Sequence, residues 1–236
     1  MRYELYYWTG IQGRGEFVRL ALEDAGADYL DVARKRGDKA IMNYLDGMHD
    51  GALPFAPPFL KAGRLVIAQT GTILAYLGPR LGLVPGGEAA EFHAQQLQQT
   101  IGDVVMEAHD THHPIAASQY YEEQRAPARK RAKVFREERL PKFLLYFESV
   151  IERGNGRQAL SRHSYVDLSL FQLVSGLDYA FPYAMQRMRG RIPRLRALAE
   201  RVADRPNIAA YLQSARRVAF NEQGIFRHYR ALDPAS

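Results

Sequence analysis

Two tyrosines and one sixteen-residue stretch carry the groups in this chain best suited to chemistry. The stretch is Pro57–Thr72: Pro-Pro-Phe-Leu-Lys-Ala-Gly-Arg-Leu-Val-Ile-Ala-Gln-Thr-Gly-Thr. A Pro-Pro step enters a short apolar run, Phe59–Leu60. Ala62-Gly63 makes a tight turn, and a second apolar run, Leu65–Ala68, follows. Two short strands around a glycine turn form a hairpin. Gln69-Thr70 then opens a helix, with Thr70 expected at its N-cap, so the amides behind it are unpaired and favour an anion. A Pro-Pro step, a hairpin and an anion-ready helix start suit a grip on a small acidic peptide. The tyrosines are Tyr6 and Tyr7, adjacent in the apolar run Tyr3–Trp8. Strand alternation sends them to opposite faces, so only one can serve a given site.

Other chemistries are poorly supplied. The chain has no cysteine, which removes disulfides, thiolate metal sites and a cysteine nucleophile. His109, His112 and His113 cluster near the middle, but their spacing does not make a metal site, and no metal is expected. The net charge of +6 raises nucleic-acid binding. The densest basic run, Arg125–Arg139, is interrupted by Glu137 and Glu138 and has no aromatic platform at its centre. It reads as a solvated helix face, and no nucleic-acid partner is expected. No apolar run is long enough to span a membrane, and no signal peptide is evident, so a cytoplasmic location is expected.

The elements that must position these groups follow from periodicity. A buried strand at Tyr3–Trp8 leads through the loop Gly10–Gly13 into a helix over Arg14–Asp24, capped by Gly26. Tyr29–Val32 reads as a second strand, Arg34–Asp38 as a polar turn and Lys39–Met48 as an irregular helix. The hairpin and the helix Thr70–Arg80 complete a β-α-β-α-β-β-α order, which implies a mixed four-stranded sheet flanked by helices. Leu81–Gly87 breaks the composition, and the domain boundary is placed there: residues 1–82 as an α/β domain and 88–236 as an all-helical one. In the second part, helices are expected at Glu88–Asp110 and at Tyr120–Arg153, the latter bending or restarting near Pro127 and Pro141. Ser164–Asp167 reads as a capping box ahead of a helix at Leu168–Leu177. Two more helices, Ile192–Ala203 and Pro206–Ser214, each carry a proline near the start. The tail Ala219–Tyr229 offers Phe220, Ile225, Phe226 and Tyr229 for packing.

Taken in order and at these spacings, several pieces resemble the cytosolic glutathione transferases over nearly the whole chain. They are Tyr3-Glu-Leu-Tyr-Tyr-Trp, Gly13-Arg-Gly-Glu-Phe-Val-Arg-Leu, Leu53-Pro-Phe with Pro58, Gln69-Thr70, Leu140-Pro-Lys-Phe-Leu-Leu-Tyr-Phe-Glu, Ser164–Asp167 and the run from Pro193 to Leu212. The N-terminal motif leans toward the tyrosine-type classes and is sigma-like. The resemblance implies a thioredoxin-like N-terminal domain, an all-helical C-terminal domain and a homodimer. It also implies an enzyme that adds the sulfur of glutathione, a co-substrate, to hydrophobic electrophiles, with no cofactor. A transferase-fold protein that binds ligands or partners without turnover is the alternative, because fold does not fix function.

The resemblance also assigns residues. It aligns Tyr7 with the family's catalytic tyrosine. Only a thiolate attacks, and a free thiol titrates near pH ~8.5, so a hydroxyl donating to sulfur favours the reactive anion. Pro58 becomes the cis-proline. Pro57 stands where the family uses a backbone N–H and C=O to clasp glutathione, and as a proline it keeps only the carbonyl. Gln69 and Thr70 would hold the glutamyl end, and Asp103 would reach the glutamyl amine across a dimer. Arg14 would act on the tyrosine or ligand by charge, or order its loop. Trp8 would line the electrophile site or pack in the core. His49 or Lys39 would stand in for the cation that meets the glycyl carboxylate. Met106, His109, His113 and Phe220 are the electrophile-site candidates.

Overall fold

A computed structural model of the chain describes residues 2–48 and 51–235. The first third is a four-stranded sheet with helices on both faces. Strand β1 (Tyr3–Tyr6) is central; it runs parallel to β2 (Tyr29–Asp31) and antiparallel to β3 (Phe59–Ala62), which pairs antiparallel with β4 (Leu65–Ala68). The parallel β1–β2 pair needs a crossover, and α1 (Gly15–Asp24) supplies it. Between β2 and β3 lie two short helices, α2 (Val32–Arg36) and α3 (Lys39–Leu45). The polar turn expected at Arg34–Asp38 is thus mostly helix: Val32 and Ala33 are buried and anchor a single turn that Gly37, at φ +79, then ends. Helix α4 (Thr70–Arg80) closes this part.

Every residue of α1 is buried. Val18 and Leu22 pack on the sheet with Leu5, Leu60 and Ile73. Phe17, Leu20 and Ala21 join the much larger core of the helical part. A helix apolar on two faces belongs between two layers, and this one ties the sheet to the bundle.

The helical part follows the turn at Leu81–Gly87. Helix α5 (Glu88–Asp110) buries the stripe Ala94, Leu97, Gln98, Ile101, Val104, Val105 and Ala108. Helix α6 (Arg125–Val134) holds Pro127 in its first turn, and a π-turn over Phe135–Arg139 leads into α7 (Leu140–Arg153). The π-turn has a direct cause in Pro141. It cannot donate to the carbonyl of Glu137, and its ring crowds that carbonyl, so the chain widens by one residue just before it. Helix α8 (Tyr165–Ala180) begins at Ser164, whose N–H and hydroxyl both donate to Asp167 at 2.7 and 3.0 Å. It starts earlier than its apolar pattern suggests, because that carboxylate closes the first turn. A short helix not foreseen from the sequence, α9 (Pro182–Met188), receives its N-terminal cap from a distant residue: Asp233 accepts from the N–H groups of Tyr183 and Ala184 at 2.7 and 3.2 Å. Helices α10 (Pro193–Ala203) and α11 (Pro206–Leu212) follow. The tail then runs back over the bundle. Phe226 lies on Gly176, where an added Cβ would come within 2.3 Å of the ring.

Candidate active site

The site is built where β1 ends, α1 begins and α4 points its N-terminus at α5. Tyr6 and Tyr7 part company as alternation requires. Tyr6 stacks on Phe59 with centroids 4.5 Å apart, and its hydroxyl donates to Glu4 at 3.3 Å. Burial, with Glu4 alongside, pushes its phenol up to about 12. Tyr7 turns the other way, toward the start of α1, and is 4% exposed. The backbone N–H of Arg14 donates to its oxygen at 2.9 Å. Two glycines make that approach possible. A Cβ at Gly13 would fall 2.0 Å from the Tyr7 hydroxyl, and one at Gly15 would fall 2.4 Å from the ring. Gly13 also holds φ +47, a conformation open to glycine.

Burial raises the Tyr7 phenol above its ordinary value; the Arg14 N–H and the charges of Arg14 and Arg19 pull in the opposite direction and only partly offset it. Tyr7 is therefore a neutral phenol at physiological pH. Its oxygen already accepts one hydrogen bond, so its own proton is free to be given to a nearby anion. It can serve as a donor, and it is not a base.

Beside it lies a cavity of about 370 Å³, lined by Arg14, Gln69, Thr70, Gln98, Gly102 and Met106 among others. Gln69 sits at the N-cap of α4 with φ +69, the one positive φ among described residues other than glycine. This corrects the expected cap: Thr70 is the first helical residue, and its hydroxyl donates to the carbonyl of Arg14 at 3.4 Å instead of capping the helix. The first intrahelical bond runs from Ile73 to Gln69, so the N–H groups of Thr70, Gly71 and Thr72 have no intrahelical acceptor. Aligned amides and the Arg14 guanidinium make this end of the cavity suited to a carboxylate.

The remaining candidates scatter. Pro57 is half-buried, and its bond to the buried Pro58 is cis. Met106, expected in an electrophile pocket, lines the carboxylate cavity and lies 4.0 Å from the Arg14 guanidinium. Asp103 is exposed on α5 and does not line that cavity. Trp8 packs against the cluster of Tyr6, Tyr44 and Phe59, because it follows Tyr6 in the alternation and shares that face. Phe220 stacks on Tyr179 at 5.1 Å and serves mainly to pack the tail. The rings of His109, His112 and His113 lie with centroids 4.8–5.1 Å apart, His109 stacked on His113 and His112 edge-on to both. His112 meets the carbonyl of Ile225 at 2.8 Å and His113 that of Gln119 at 3.0 Å. Burial, then neighbouring charges that for His109 include Arg14, lowers His109 to about 4. Burial likewise lowers His112 to about 3. Among the described residues no group of three metal-ligating side chains is disposed to hold a metal ion. Lys39 is exposed at the start of α3, and His49 lies outside the described residues. Gln98 and Gln99 were not anticipated in the site. The one signal for Gln98 is a polar residue inside the buried stripe of α5.

Comparison with known proteins bears on the fold that carries this site. Residues 109–215 match the family model described as "Glutathione S-transferase, C-terminal domain". A glutathione S-transferase of Plasmodium falciparum is 23% identical over 88% of this chain and 93% of its own length. Glutathione S-transferase 2 of Onchocerca volvulus is 28% identical over 95% and 99%. Among solved structures, a Pi-class glutathione S-transferase of Onchocerca volvulus superposes with a TM-score of 0.70 at 23% identity, covering 90% of this chain and 93% of that one. Prostaglandin synthase D of Nilaparvata lugens superposes with a TM-score of 0.71 at 18% identity, covering 91% and 98%. At such identities the superpositions speak to the fold. Joined to the domain match and to relatives that align nearly end to end, they make the chain similar to the glutathione S-transferases in sequence as well as in fold.

Proposed function

We propose that this chain is a tyrosine-type glutathione transferase that conjugates glutathione to hydrophobic electrophiles in the cytoplasm, working as a homodimer. The observation that carries the reading is the hydrogen bond from the Arg14 N–H to the buried Tyr7 oxygen, Arg14 itself lining the cavity that ends at the N-terminal amides of α4. The glutamyl carboxylate binds at Thr70–Thr72, with Gln69 alongside, and the cysteinyl sulfur comes to the Tyr7 hydroxyl. The thiol proton leaves to solvent, and the thiolate accepts the Tyr7 hydrogen bond. The sulfur then forms its bond to the electrophilic carbon as the leaving group departs with its electron pair, or as the π bond of an acceptor opens. A positioned donor that strengthens as charge forms is the economical way to lower such a barrier. Residues 1–82 and 88–236 act as the glutathione-binding and electrophile-binding units. Asp103 reaches the glutamyl amine of the partner subunit, a reading its exposure on α5 supports.

A second reading, binding without turnover, draws support from Pro57, which cannot donate a backbone hydrogen bond to the cysteinyl part of the ligand. Calorimetry with glutathione and an aryl halide conjugation assay separate the two. Binding with turnover is expected. Binding without turnover on any electrophile favours the second reading, and failure to bind glutathione refutes both.

A further inference from the structure

The segment between β1 and α1 determines where the Tyr7 oxygen sits, and Gln12 is its anchor. Gln12 is 5% exposed. Its Nε2 donates to the carbonyl of Val218 in the tail at 2.5 Å, and its Oε1 accepts from Nε2 of Gln172 on α8 at 2.8 Å. A carbonyl at one end and an amide donor at the other admit only one orientation of the side chain. Gln172 is itself fully buried, and its Oε1 accepts from Arg217 at 3.0 Å. Arg217 also pairs with the buried carboxylate of Glu16 at 2.5 Å. The backbone carbonyl of Gln12 accepts the Glu16 N–H at 3.1 Å, a bond that opens α1. One side chain thus joins the loop, the bundle and the tail. Asn221 adds a second tie by donating to the carbonyl of Gly10 at 2.8 Å.

Between this anchor and the Arg14 N–H stands only Gly13. It lies so close to the Tyr7 oxygen that the loop has no slack toward the ring. A shift of Gln12 passes directly to the hydrogen bond that orients the Tyr7 hydroxyl.

We propose that Gln12 is a positioning residue: held by Gln172 and the tail, it keeps the Arg14 N–H on the Tyr7 oxygen so that the Tyr7 proton is directed at the thiol of glutathione. The inference rests on Tyr7 being the thiol-activating donor. It makes the C-terminal tail part of the thiol-activating apparatus through hydrogen bonds that never touch a ligand.

The test uses the protein with Gln12→Met, which keeps the volume and removes both of its side-chain bonds, and Gln172→Met, which removes one of those two together with the bond from Arg217. Tyr7→Phe is measured beside them. The readouts are the pH titration of bound thiolate by ultraviolet absorbance, the KM for glutathione, and Tm. Gln12→Met is expected to raise the pKa of bound thiol by roughly 0.5–1 unit and to lower kcat/KM below neutral pH by about 3- to 10-fold, the scale of one hydrogen bond. KM for glutathione should stay within about twofold, because only the thiol loses a partner. Gln172→Met should shift the thiol in the same direction by less, and it decides the matter alone if Gln12→Met does not fold. A fall in Tm with an unmoved thiol pKa would make the bridge merely structural and overturn the inference. Should Tyr7→Phe also leave the thiol pKa unmoved, the Tyr7 reading fails and this one with it. A shift in Tyr7→Phe without a shift in either glutamine variant overturns this inference alone.

Discussion

Replacing Tyr7 by phenylalanine tests the chemistry most directly, because it removes one oxygen and little else. That oxygen is expected to donate to sulfur, and a hydrogen bond to a charged group contributes about 1.5–3 kcal/mol. At 1.36 kcal/mol per unit, the pKa of bound thiol should rise by roughly 1–2 units. Below both pKa values the thiolate fraction, and with it kcat/KM, should fall roughly 10- to 100-fold, since each unit is tenfold. The loss should shrink as pH approaches ~9, where a free thiol near ~8.5 ionises without help. The same change leaves the Arg14 N–H without its acceptor beside a ring that is 4% exposed. A stability cost of about 1–3 kcal/mol is therefore expected, so turnover must be read well below the variant's Tm. Conjugation of an aryl halide across the pH range, with a parallel ultraviolet titration of bound thiolate, gives both quantities. An unchanged pH profile would remove Tyr7 from the mechanism. A loss that persisted undiminished at high pH would mean that Tyr7 acts on something other than thiol ionisation.

Further expectations concern the ligand, the fold and pH. If residue 57 clasps the cysteinyl part as proposed, Pro57→Val restores a backbone N–H there and should tighten glutathione by about 0.5–1.5 kcal/mol in calorimetry; no gain would mean the peptide lies differently. Asp233→Ala removes the buried acceptor for Tyr183 and Ala184 and should lower the free energy of unfolding in urea by about 2–4 kcal/mol, since two bonds to a charged group are lost. Arg187→Ala, which removes only an exposed partner of that carboxylate, should cost less than about 1 kcal/mol. His109 is held neutral in the fold, at about 4 against 6.5 when free. The unfolded chain therefore takes up its proton first, and stability should fall as pH drops from about 6.5 toward 4. His109→Gln should flatten that part of the urea-midpoint profile, and an identical acid slope in the variant would refute the assignment.

The periodic elements were legible because their cause is local. The extent of α5 and the prolines opening α10 and α11 read correctly from the sequence alone. The site was legible only in part. Tyr7 separated from Tyr6 by the pleat, and Gln69-Thr70 marked a helix start. Which of that pair takes the cap was not readable, since it depends on the positive φ of Gln69 and on the Arg14 carbonyl fifty-six positions away from Thr70. Helix α9 was invisible for a similar reason: its cap is a carboxylate some fifty residues later in the chain.

By itself the sequence determined the βαβ-led first part, the helical remainder, the absence of a cysteine nucleophile and the opposite facing of Tyr6 and Tyr7. These follow from residue type and from periods of two and 3.6, which need no knowledge of neighbours. Only the tertiary structure decided what those groups meet. It put a backbone amide on the Tyr7 oxygen, opened a cavity between α4 and α5, turned Trp8 away from it, and ran the tail back to Gln12. Such contacts join residues more than 200 positions apart, and no local pattern encodes a hydrogen bond whose partner is chosen by packing.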